Sequence, residues 1–211
     1  MQKKLYLIRH GETIWNANGR WQGMMDIDLN EIGIQQAEAL GELLKPHPIK
    51  AIYASDLKRA RITAEKIAQH KGLDVHTDPR LRELNLGILQ GLTYEEIKAA
   101  HPEEFQSLTT SFLDAKMPQG ESRREMQHRA HQAVMDILKH EHSEEIAIVS
   151  HGGTIRVLLM RWFPNSDLGE NRITNTSITT VEYRNEQFHL KAVGETPHLV
   201  ETNPNVGKLI F

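Results

Sequence analysis

Short apolar runs, each followed by a longer segment of helical spacing, constrain this chain more than any other feature. Ile146-Ala147-Ile148-Val149 is the most strand-like run, β-branched and without a polar interruption, as suits a strand covered on both faces. Leu5-Tyr6-Leu7-Ile8 and Ala51-Ile52-Tyr53-Ala54 read the same way, and Leu73 to His76 is a candidate third short strand. Between the runs lie helix signals. Asn30 is placed to cap a helix carrying Ile32, Ala37, Leu40 and Leu44 inward, with Pro46 and Pro48 to stop it. Ser55 or Asp56 is placed to cap another through about His70, closed by Gly72. Thr93 with Glu96, and Ser122 with Glu125, have capping-box spacing; the second opens a helix to about Glu141. A helix containing Val157, Leu158, Leu159 and Trp162 follows Val149. Ser177 to Tyr183 and Gln187 to Val193 flank Arg184-Asn185-Glu186 as a closing hairpin. Such alternation predicts an α/β three-layer sandwich, a mainly parallel central sheet with helices on both faces.

No composition shift or internal repeat divides residues 1–211, so a single domain is expected. Segment 105–121 breaks the regular pattern yet contains Leu108, Phe112, Leu113 and Met117. It reads either as a loop tucked onto the core or as a lid over a substrate. At 39% apolar and 25% charged residues the composition is that of an ordinary globular protein. A net charge of −3 argues against a nucleic-acid partner. The absence of cysteine removes disulfides, thiolate metal sites and cysteine nucleophiles. Only four apolar residues separate the basic Met1-Gln2-Lys3-Lys4 from Arg9, too few for a signal peptide or a membrane span. Cytoplasmic residence without membrane association is the expectation; oligomeric state is not legible.

Open parallel sheets bind ligands beyond the carboxyl ends of their strands. Arg9 and His10 leave the first strand there. Ser55 to Arg61, with Lys58, Arg59 and Arg61, leave the second, and Ser150-His151-Gly152-Gly153 leave the Ile146–Val149 strand and open a helix. Free N–H groups at a helix start favour anions, and arginine forks bind phosphate in pairs. The composite is a phosphate pocket containing two imidazoles. No G-x-x-x-x-G-K-[ST] occurs, so it is not a phosphate-loop nucleotide site. His128 and His131, at i, i+3 on a helix, lack an evident third metal ligand.

Arg9-His10-Gly11-Glu12-Thr13, with Trp15-Asn16 behind it, resembles the signature of the histidine phosphatase superfamily, which includes the cofactor-dependent phosphoglycerate mutases. The resemblance continues through Gln22-Gly23, Ser55-Asp56-Leu57-Lys58-Arg59-Ala60, Leu81-Arg82-Glu83-Leu84, Gly87, Gln90-Gly91 and Ser150-His151-Gly152-Gly153. It implies that His10 is a nucleophile that becomes phosphorylated. It implies too that Arg9, Arg59 and His151 hold the phosphoryl oxygens and that Glu83 donates the proton. Asn16, Gln22, Gly23 and the Gly152 N–H match auxiliary substrate contacts, with no metal or other cofactor. From the residues alone, Glu83 reads rather as a salt-bridge partner of Arg82 or Arg80.

The resemblance implies metal-independent hydrolysis of small phosphomonoesters. Two other readings stay open: a cofactor-dependent phosphoglycerate mutase, and a non-catalytic module that binds a phosphorylated ligand. Mutases of the family carry a longer insertion between acid and second histidine than the stretch from Glu83 to His151 here. Gly87-Ile88-Leu89-Gln90-Gly91 resembles the mutase form nonetheless. Substrate choice is expected to rest on the 105–121 segment with Trp21, Met24 and Met25.

Overall fold

The computed structural model describes residues 2–166 and 173–199. In chain order the main elements are β1 (Gln2–Arg9), α1 (Ile14–Ala17), α2 (Glu31–Leu44), β2 (Ala51–Ala54), α3 (Lys58–Gln69) and β3 (Val75–Thr77). They continue with α4 (Tyr94–Ala100), α5 (Pro102–Thr110), α6 (Arg123–His140), β4 (Glu145–Ser150), α7 (Gly152–Trp162), β5 (Ile178–Arg184) and β6 (Gln187–Glu195). The sheet runs β3-β2-β4-β1-β5-β6. β4 pairs in parallel with both β1 and β2, and β2 with β3; only β5 and β6 run antiparallel. The Ile146–Val149 run is thus a central strand, as its composition predicts.

Alternation along the strands separates two cores. Leu5, Leu7, Ile146 and Ile148 meet α6 and α7 through Ala133, Val134, Ile137, Ile155 and Leu158. Tyr6, Ile8, Ile52, Ala147 and Val149 meet α2 and α3 through Leu40, Leu44, Ala60, Ala64 and Ile67. This is the expected three-layer sandwich. Among the described residues, no helix is long and apolar enough to cross a membrane.

Both capping boxes form, and Asn30 accepts from the Gly33 N–H as the α2 cap. Asn185 and Glu186 take positive φ in the β5–β6 turn, the backbone a two-residue hairpin requires. Four expectations need correction. Ile32 is half exposed rather than inward, since Gly33, Gln36 and Ala37 already form the buried stripe. The third strand begins at Val75, not Leu73. α3 is capped by Leu57 without a side-chain bond, because the Ser55 and Asp56 side chains are used elsewhere. Segment 105–121 is not uniformly irregular. Its first six residues complete α5, and Leu108, Ala115 and Met117 are buried with Leu84, Leu89, Ile97, Met126 and Val157 in a third core.

The β-ladder register matters most for function. It sets Arg9 beside Ser150 and Ala54 beside Val149, so residues 9–10, 55–59 and 150–153 emerge together on one edge.

Candidate active site

A cavity of about 310 Å³ opens on that edge. Arg9, His10, Asn16, Gln22, Gly23, Arg59, Glu83 and Gly152 all line it. His151 is fully buried behind His10, with ring centroids 5.1 Å apart.

Each cation is held by backbone. Arg9 donates one Nη1–H to the Ile173 carbonyl at 2.8 Å. Arg59 donates to Met25 O at 2.7 Å and Gly23 O at 2.8 Å. Neither belongs to an ion pair among the described residues, and neither Nε has a protein partner. Burial lowers both guanidinium pKa values to about 10, the Glu83 charge opposing, so both stay cationic at neutral pH. Two buried, unpaired cations make the cavity floor a strong anion site. Of the three basic residues expected from the second strand, only Arg59 arrives. Lys58 pairs with Asp28, and Arg61 with Glu65 on its own helix.

His10 donates its Nδ1 hydrogen to Gly11 O at 2.7 Å; a carbonyl can only accept, so this fixes the tautomer and leaves Nε2 with its lone pair. Burial above all, then Arg59 and Arg9, holds its pKa well below the ordinary value. The ring is neutral. His151 is neutral for the same reasons, burial first. Its Nε2 lies 2.9 Å from Ser55 Oγ, which also accepts from the Leu57 N–H. Its Nδ1 has no protein partner.

Glu83 is not the salt-bridge residue that its neighbours allowed. Arg82 pairs with Asp56, and Arg80 with Asp78 and Asp136. Glu83 instead accepts from the Leu84 N–H at 2.9 Å and the Gly153 N–H at 3.0 Å. A Cβ at Gly153 would lie 2.5 Å from Glu83 Oε1, so only glycine lets the carboxylate rest on the start of α7. Gly23 has φ +53°, and its backbone turns there to present the carbonyl to Arg59. Gln90 steadies the same loop by accepting from the Met24 N–H at 2.7 Å. Met24 and Met25 themselves do not line the cavity, a correction to their expected role; Trp21 does.

Several contributors have no obvious sequence signal. Asn175 donates to His10 O at 3.0 Å and reaches Asn16 Oδ1 at 3.4 Å. It sits there because β5 runs antiparallel to β1, which brings residues before β5 beside residues after β1. Arg123, Tyr94 and Met126 line the cavity from α6 and α4. His131 accepts from Trp162 Nε1–H at 3.1 Å, a packing role away from the cavity.

An α/β sandwich with paired imidazoles, unpaired guanidiniums and a helix start on one edge defines a class of phosphoryl-handling proteins. Residues 5–196 match the model of the histidine phosphatase superfamily (branch 1), and the chain belongs to that family. It is 38% identical over 203 residues to phosphoglycerate mutase-like protein 4 of Arabidopsis thaliana, covering 94% of this chain and 88% of the relative. It is 36% identical over 200 residues to a metal-independent phosphoserine phosphatase of the same plant, covering 93% and 83% respectively. A phosphoserine phosphatase mutant from Entamoeba histolytica, solved with phosphoserine, superposes with a TM-score of 0.81 at 32% identity, over 94% of this chain and all of that one.

Proposed function

We propose that this protein is a metal-independent phosphatase that hydrolyses small phosphomonoesters through a phosphohistidine on His10. One observation carries the reading: a buried, neutral imidazole, locked in the Nδ1–H tautomer, shares a cavity with two guanidiniums that are in no ion pair among the described residues. Such a pocket attracts a phosphoryl group and presents it to a nitrogen lone pair.

His10 Nε2 attacks phosphorus in line and the P–O ester bond breaks, leaving the phosphoryl group on nitrogen. Arg9, Arg59 and His151 meet the charge on its equatorial oxygens, aided by Asn16, Gln22, Gly23 and the N–H of Gly152. Glu83 delivers a proton to the departing alkoxide. It then takes one from water, which attacks phosphorus as the P–N bond breaks and returns the ring to neutrality. The guanidiniums supply the positive charge that a metal ion provides elsewhere. The relatives' phosphatase names support this reading. It treats the chain as one histidine phosphatase domain in the cytoplasm, with segment 105–121 as the lid over the outer end of the cavity.

The name of the mutase-like relative supports a second reading, phosphoryl exchange between hydroxyls of glycerate. Rapid acid-free quenching of wild type with labelled substrate should trap an acid-labile, alkali-stable phosphoryl group, absent in His10→Ala, with turnover unaffected by EDTA. Label elsewhere, or none, would overturn the mechanism; the non-catalytic reading requires none. With 2,3-bisphosphoglycerate present, phosphate release marks a phosphatase and exchange between the 2- and 3-positions a mutase.

A further inference from the structure

We propose that Arg129 is a positioning residue for the Glu83 acid, clamping the main chain that carries it so that the carboxyl group stays aimed into the cavity. The inference rests on the phosphatase reading, in which Glu83 protonates the departing alkoxide. Residues 82–86 belong to no helix or strand, so no regular ladder orients the chain there. Side chains from other elements hold its carbonyls instead. Leu81 O accepts from Ser150 Oγ–H at 2.8 Å, and Arg82 O from Thr154 Oγ1–H at 3.0 Å. Arg129 on α6 supplies the rest. Its Nη1 donates to Arg80 O and Arg82 O, and its Nη2 to Glu83 O, each at 2.8 Å.

Nη2 also donates to Glu121 Oε1 at 2.6 Å, and Nε to Glu121 Oε2 at 3.0 Å. Every N–H of the guanidinium is thereby used. A plain ion pair with Glu121 would need only two of them; the others converge on the carbonyls around the acid, which suits a planar fork and not an ammonium. Glu121 steadies the next turn of chain as well, since it accepts from the Asn85 N–H at 2.9 Å and donates its own N–H to Asn85 O at 3.0 Å. Glu83 has need of such a clamp. Its carboxylate rests on the Leu84 N–H, which moves with it, and on the Gly153 N–H of α7. These fix the tip of a flexible side chain and leave the main chain free to turn. Arg129 does not line the cavity, so it reaches the chemistry through Glu83 and not through a ligand.

Arg129→Gln should slow single-turnover alcohol release from phosphoserine by about 10–100-fold, the cost of a misplaced catalytic group. Release of p-nitrophenol from its phosphate needs no acid and should change little, once rates are referred to active sites counted by the p-nitrophenol burst. In the Glu83→Gln background the same substitution should add little, because both act through one group. Equal losses on the two esters, or losses that simply multiply in the double variant, would overturn the proposal. Arg129→Lys keeps the charge without the fork and should recover only part of the rate. Glu121→Gln, which leaves an acceptor for Asn85, should show the same contrast at smaller size even if Arg129→Gln does not fold. Amide exchange needs no turnover: relative to the β4 amides, those of Leu84 and Gly153 should exchange about tenfold faster in the Arg129 variants, as expected for a weakened charged hydrogen bond. Unchanged protection there would refute the clamp. Absence of turnover by wild type on every ester would sink the phosphatase reading, while the exchange rates would still decide whether Arg129 seats Glu83.

Discussion

At its inner end the cavity is lined by groups that leave β1, β2 and β4 within a few residues of the last ladder bond. There Arg9 and Arg59 are clamped by carbonyls, and His10 by the Gly11 carbonyl. Elsewhere the wall takes Tyr94 from α4 and Arg123 and Met126 from α6, and Arg123 is held by the ring and the carbonyl of Phe112. The difference follows from what each end must do. In-line transfer tolerates little displacement of the reacting groups, so backbone holds them. A wall that aligns no reacting bond tolerates more, so side chains on separately packed helices suffice.

If the inner end is built for chemistry, its acid should matter most where chemistry needs a proton. Glu83→Gln should slow alcohol release from an alkyl ester by about 10²–10⁴-fold in single turnover. Release of p-nitrophenol, a good leaving group, should suffer far less. Equal losses on both would reduce Glu83 to an acceptor for the Leu84 and Gly153 amides, and the two ends would no longer differ in kind.

A smaller effect tests the backbone seat. Gly153→Ala puts a methyl 2.5 Å from Glu83 Oε1 and must displace the carboxylate. We expect about a 10–100-fold fall in kcat with KM little changed, the cost of a misplaced catalytic group. Wild-type kcat in this variant would show that the inner end is more tolerant than its geometry implies.

The smallest effect is on stability. His10 and His151 are held neutral by burial, His198 is pushed down to about 4, and His131 is lowered in the same sense. In the unfolded chain each titrates near about 6.5. As pH falls below that value the unfolded chain binds protons that the folded protein refuses, so stability declines from about pH 6.5 toward pH 4. Thermal midpoints should fall across this window, less steeply in His10→Ala. A flat profile there would mean that the inner end carries no such cost.

The alternation of strands and helices, the central place of Ile146–Val149 and both capping boxes are local in origin, and the sequence alone determined them. That Arg9, His10 and His151 share an edge was legible for a related reason: each lies at a recognisable strand end, and parallel strands share an edge; the same argument offered Lys58, Arg59 and Arg61 alike, and only the resemblance singled out Arg59. Tertiary structure decided what depends on distant partners. Glu83 reads as a salt-bridge residue until Asp56, Asp78 and Asp136 are seen to hold Arg82 and Arg80. Ser55 reads as a helix cap until β4 brings His151 to it. Asn175 reaches His10 only because β5 returns antiparallel beside β1, and Arg123 enters the cavity only because α6 packs there. Local spacing encodes which backbone groups are satisfied within an element. It cannot encode which side chain from another layer fills the gap, because packing across the sheet sets that distance.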